Sequence, residues 1–259
     1  MAKKFFSMAM LAMLATSFVA CDKGDDDGNS GDNVDENINV NISVVDLGLP
    51  SGIKWATCNV GASNPWDYGN YYAWGETKTK SKYYWDTYKY CNATNTSLTK
   101  YNKNASNGTV DNKTTLEPAD DVATAVFGAD YSMPTTADWS ELSSQCYWVW
   151  TTNYNEQNVS GYIVYSAKSD GDKGVKVYIN GTALDSYSLS DVHIFLPAAG
   201  YCYNSGLYFA GNAGHFWSSS LYGHDPSGAR HCNFDRSNVY PSSHNDRCCG
   251  LSVRPVKRP

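Results

Sequence analysis

After about residue 40 the chain is a series of short runs rich in Val, Ile, Tyr and Trp, each closed by Gly, Asn, Asp or Ser. Such runs fit short strands and little else. They fall at 42–45, 54–58, 71–74, 147–151, 161–165, 175–179, 193–196 and 251–254. Two segments break the pattern and predict helices. One covers 119–127, after Pro118 and before Gly128; the other covers 136–146, where Thr135 and Asp138 have the spacing of a capping box and Pro134 stands just outside. Residues 78–115 are rich in Lys, Thr, Asn and Tyr and read as an inserted loop region, whose N-x-[ST] triplets reflect composition rather than glycosylation. No internal repeat is evident. Many short strands, two short helices and long loops predict an α+β domain over 41–259.

Composition narrows the function classes. Twenty Tyr and eight Trp, with only 18% charged residues, exclude wholesale disorder. A net charge of −6 argues against a nucleic-acid partner, which needs a basic face. The long apolar run is N-terminal, which argues against a multi-span membrane protein.

Lys3 and Lys4 precede the apolar run 5–20, and a small-residue junction follows. This predicts a secretory signal peptide over 1–20. The junction Phe18-Val19-Ala20-Cys21 resembles a bacterial lipobox, with Cys21 as the acylated residue; the alternative is an ordinary signal with a chance cysteine. At about 0.8 kcal/mol per buried methylene, two or three acyl chains anchor a protein durably. Residues 21–40 predict a solvated tether. Residues 22–36 alone carry −6 and residues 1–21 carry +2, which leaves only −2 for the rest. An acidic run directly after the lipidated Cys resembles the surface-export signal of Bacteroidetes lipoproteins. The expected place is therefore the outer membrane, facing the cell exterior, with a periplasmic facing as the alternative.

Eight Cys are present, so seven remain once Cys21 is acylated. Cys58, Cys91, Cys146 and Cys202 allow three pairings that sequence does not choose between, and Cys232, Cys248 and Cys249 cluster near the end. An odd number leaves at least one thiol free or paired between molecules. The absence of a CxxC spacing leaves a structural zinc site unsupported.

Several segments, VDLGLPSGIKWATCNVGA (45–62), YYAWGET (71–77), SMPTTADWSEL (132–142), IFLPAAGY (194–201), FWSSS (216–220) and GLSVRPV (250–256), together resemble the Fibrobacter succinogenes major paralogous domain of Bacteroidetes lipoproteins. The resemblance implies a C-type-lectin-like fold, akin to the formylglycine-generating-enzyme group, over about 45–257. Within these motifs Trp55, Trp74, Trp139 and Trp217 read as core aromatics, and Gly250 and Pro255 as scaffold punctuation.

The C-terminal region departs from the rest. All five Arg lie at or after 230, and His215, His224, His231 and His244 are four of the five His. Residues 218–250 contain no Lys, Glu, Gln, Trp or Met, although these types make up 35 of the 259 residues. Some members of the resembled family are targets of diversity-generating retroelements, which turn AAY codons into NNY. NNY encodes none of the five missing types and does encode His, Asp, Asn, Arg, Cys, Tyr, Ser and Gly. The segment 215–249 is therefore expected to be a variable, exposed patch on a rigid scaffold, as antibody loops are on theirs. The expected ligand-contacting residues are His215, Tyr222, His224, Asp225, Arg230, His231, Asn233, Asp235, Arg236, Asn238, Tyr240, Ser243, His244, Asn245, Asp246, Cys248 and Cys249. Arg247 and Arg254 read as scaffold. The alternative is ordinary surface drift in a fixed paralogue.

The same residues offer chemical alternatives. His224, His231, Cys232, His244, Asp246, Cys248 and Cys249 are competent metal ligands, without HxxxH or CxxC spacing. No GxSxG, HExxH, P-loop or GxGxxG occurs. The Glu-Pro-Asn and Trp-Asn-Asp calcium motifs of sugar-binding C-type lectins are absent. The expectation is a non-enzymatic surface lipoprotein with no catalytic residue, metal or cofactor. Its partners are an unidentified protein or glycan ligand and, through the lipid, a membrane. The rivals are a metal-dependent or redox enzyme on the same scaffold and a fixed, calcium-independent glycan adhesin.

Overall fold

The structure is a computed structural model and describes residues 42–259; the expected signal peptide, the expected lipidation site Cys21 and the expected tether lie outside the described residues. In chain order the elements are β1 (Val44–Val45), β2 (Lys54–Ala56), α1 (Val122–Phe127), β3 (Tyr131–Ser132), α2 (Thr136–Gln145), β4 (Cys146–Thr151), β5 (Gly161–Ser166), β6 (Lys176–Val177) and β7 (His193–Pro197). They continue with β8 (Tyr201–Tyr203), β9 (Gly206–Tyr208), β10 (Ala213–Leu221), β11 (Gly228–Asp235), β12 (Asn238–Asp246) and β13 (Val256–Lys257). Short 3-10 turns punctuate the loops. The class is α+β, with strands in four small sheets ordered β1-β2-β13-β3, β6-β4-β5-β7, β8-β9 and β10-β11-β12.

Helix α2 forms for the reason its sequence predicts. The amide of Asp138 donates to Thr135 Oγ1 and the amide of Thr135 returns to Asp138 Oδ2, closing the capping box of α2. The 119–127 segment is split: Pro118–Asp120 makes a 3-10 turn, and Asp121 then caps α1 by accepting from the amides of Ala123 and Thr124. The 71–74 run is reduced to a bridge between Tyr72 and Leu251, and the 251–254 run makes bridges while the strand itself lies at β13.

The four expected core tryptophans are fully buried. Trp55 packs on Trp139 at 4.7 Å, and Trp139 Nε1 donates to the Trp217 carbonyl. Trp217 Nε1 donates to Tyr72 O and Trp74 Nε1 to Ser218 O, so the rings join the middle of the chain to β10. Gly250 is needed because a Cβ there would stand 2.6 Å from the Tyr83 ring.

Two buried arginines lock the C-terminus. Arg254 donates to Asn59 Oδ1 and to the carbonyls of Ala56, Thr57 and Phe195. Arg247 donates to Tyr88 Oη and to the carbonyls of Lys100, Tyr101 and Pro226, with its guanidinium 5.1 Å from the Trp74 ring. The hydrogen bonds of both go to neutral acceptors. The 78–115 region is held as well. Asp120 accepts from Tyr90 Oη, Tyr101 Oη and Lys100 Nζ; burial pulls its pKa upward, but these bonds prevail and hold it at about 2.

Strands β10 to β12 are the longest cluster of strand residues, and the sequence pattern gave no sign of them. The reason is their position between two cores. Phe216, Cys232 and Phe234 pack on the side of α2 with Trp139 and Leu142, while Trp217, Leu221 and Ala229 pack on the other side with Trp74, Tyr101 and Leu251. Strand β12 carries no apolar alternation because it is a solvated edge.

Candidate ligand-binding face

The expected ligand residues sit mostly on this sheet. His224, Asp225, Arg236, Tyr240, His244 and Asp246 are exposed. His215, Tyr222, Arg230, Asn233, Asp235, Asn238, Ser243 and Asn245 are partly buried. His231, Cys248 and Cys249 are buried, and their expected place on an exposed patch is corrected. His231 pairs with Trp217 across the sheet and turns inward with it. Cys248 and Cys249 follow β12 into the core beside Arg247.

Directly paired residues share a face of an antiparallel sheet, so the register sorts the residues. Arg230 pairs with His244, His231 with Ser243, and Asn233 with Tyr240. Arg230 and Asn233 fall on opposite faces of β11, and the shift between His231 and Asn233 is a bulge in β12, so the segment carries two patches.

The first patch lies at the Tyr222 end. The Tyr222 and His244 rings are stacked, 4.0 Å apart and 8° from parallel. The Arg230 guanidinium lies 4.6 Å from the centre of Tyr222 and donates to Ser242 O, and His224 stands 5.4 Å from the same ring. The loop beneath is closed by its own bonds: Ser227 N donates to Asp225 Oδ1, Gly228 N to Asp225 O, and Tyr222 N to Gly228 O. Asp225 is therefore partly a turn residue. So is Asp235, whose Oδ1 accepts from Ser237 N and Asn238 N at the β11–β12 turn.

The second patch crosses the sheet through His215, Asn233 and Tyr240, which are in register. It continues into the β8–β9 hairpin, where Tyr201 lies 4.9 Å from His215. His215 Nδ1 is 3.3 Å from His231 Nε2, and His231 Nδ1 is buried without a hydrogen-bond partner. Burial lowers the pKa of His215 to about 4 and that of His231 well below the usual value, so both rings are neutral at pH 7.

Residues 179–256 match DUF8237, a domain of unknown function. The match spans β7 to the start of β13 and so includes both patches. No curated protein and no solved structure matches the chain.

The sequence reading missed the hairpin. Leu207, Tyr208 and Phe209 are all exposed, and their signal was three large apolar residues running together without the alternation that burial on one face produces. Other features lie apart from the sheet. A cleft of about 520 Å³ is lined by Ile42, Thr57, Cys58, Gly61, Val126 and Phe127 among others. Cys58, Cys91, Cys146, Cys232, Cys248 and Cys249 are free thiols. Burial pushes Cys146 up to about 12 and Cys232 still higher, while the adjacent Cys249 and burial together raise Cys248. Among the described residues no three His, Cys, Asp or Glu side chains are placed to share a metal ion. No helix among them is long and apolar enough to cross a membrane.

Proposed function

We propose that this chain is a non-catalytic, ligand-binding lipoprotein, anchored through Cys21 to the outer membrane and displayed outward on its acidic tether. Its α+β domain is a C-type-lectin-like scaffold, and the outward side chains of 215–249 meet the ligand and vary between copies of the gene. One observation carries the reading. Tyr222, His224, Arg230 and His244 converge on open surface, while the loop beneath them is held by the backbone, Asp225 and Arg247. Such side chains can change with little effect on folding. Aromatic rings beside a guanidinium are also the usual energetic centres of recognition surfaces.

The full chain, solubilised in detergent, is screened on glycan and bacterial-surface-protein arrays beside the variant Tyr222→Ala/His224→Ala/Arg230→Ala/His244→Ala. Altered capture at an unchanged melting temperature supports the reading, and an identical capture profile overturns it. Sequencing the 3′ end of the gene and its flank across a population tests the variation itself. Variable codons at 222, 224, 230 and 244 with a nearby adenine-bearing template repeat support it, and invariant codons with no repeat refute it.

A further inference from the structure

The geometry points to a second contact surface, an uncharged aromatic platform on the β8–β9 hairpin that takes a neutral oligosaccharide. Phe209 is 59% exposed, Tyr208 45% and Tyr240 51%. Tyr201 lies 5.8 Å from Tyr208 and 6.1 Å from Phe209, with planes 30° and 22° from its own. Near-parallel exposed rings offer flat apolar faces to the C–H faces of a pyranose, and the neighbouring Asn233 amide and tyrosine hydroxyls can bond its hydroxyls.

The hairpin is built to stay in place. Its tip is bridged to Tyr83 by reciprocal amide–carbonyl bonds with Asn204. Its base is tied to β10 by the bond from Gly200 N to Ala213 O, and Gly200, at φ +66°, could carry no Cβ because Tyr208 O would stand 2.1 Å away. Phe209 itself has φ +59°, a left-handed conformation that is unfavourable for a bulky side chain. The carbonyl of Phe209 accepts from Asn212 N and Ala213 N, which fixes that turn. A strained, exposed aromatic ring at a position where glycine would relax the backbone is a cost to folding that ligand contact explains.

Charge and backbone select the occupant. Tyr201, Tyr208, Phe209, Asn233 and Tyr240 carry no charge at neutral pH, and His215 stays neutral above about pH 4. An added peptide strand is disfavoured, because the edge strand β12 is blunted by Pro241 and by its bulge. The inference rests on reading this sheet as a binding surface, but its hairpin half lies outside 215–249, so the two can fail separately.

The test is an array of neutral hexose and N-acetylhexosamine oligosaccharides probed with the full chain in detergent, followed by calorimetric titration of the strongest member. Phe209→Gly removes the ring and relaxes the backbone, so it is expected to raise the melting temperature while weakening saccharide binding at least tenfold. Tyr208→Ala weakens binding similarly, and both variants keep Tyr222, His224, Arg230 and His244. Absence of saccharide binding by the wild type overturns the inference. So does binding unchanged in both variants, or capture of apolar peptides alone. If the hairpin variants bind normally while the Tyr222-cluster variant does not, the platform falls and the proposed function stands.

Discussion

Arg230 and Arg247 come from one polar segment and have opposite surroundings. Arg230 lies over Tyr222 at the surface and makes one bond, to Ser242 O. Arg247 is fully buried and donates to four groups drawn from three separate parts of the chain. His244 and His231 repeat the contrast, one stacked in the open on Tyr222 and the other buried with an unpaired Nδ1. The segment is therefore two populations that share a composition. One population is held inside the fold and the other meets solvent.

The largest effect expected from this contrast is at the buried arginines. Arg254→Met or Arg247→Met leaves several buried carbonyls without donors and costs on the order of 3–5 kcal/mol, measured by denaturant unfolding. A cost below about 1 kcal/mol would erase the distinction between the two sides. Next comes the His215–His231 pair. The pKa of folded His215 is lowered to about 4, and that of His231 is lowered too, so the unfolded chain binds more protons below the ordinary histidine range. Stability is therefore full above pH 6.5 and falls as pH drops toward 4, by on the order of 3 kcal/mol for His215 alone. His215→Gln flattens that limb, and a pH-independent wild type between 6.5 and 4 would show that the pair is not neutral in the fold.

Cys248→Tyr sharpens the boundary. It places a large ring in a filled core and costs about 1–3 kcal/mol by overpacking, although tyrosine at an exposed site would be tolerated. The smallest effects are expected on the open side. His224→Ala and His244→Ala each change stability by about 0.5 kcal/mol or less.

Much of the fold was legible because local rules suffice for it. The capping box at Thr135 and Asp138, the burial of Trp55, Trp74, Trp139 and Trp217, and strands β4, β5 and β7 each follow from side chains near in sequence or from simple apolar runs. The C-terminal sheet was not legible, because β11 and β12 owe their pairing to neighbours rather than to their own pattern. The two patches were legible only as one list of residues. Their separation depends on which face of β11 each residue takes, and the hairpin at Leu207–Phe209 lay outside the compositional anomaly altogether.

The sequence by itself determined the α+β class, the candidate anchor at Cys21, the tryptophan core and the anomalous composition of 218–250. Only the tertiary structure decided which of those anomalous residues meet solvent. Exposure in a sheet depends on register, and register is set by contacts with elements far away in the chain, such as Trp139 beneath Phe216 and Tyr201 beside His215.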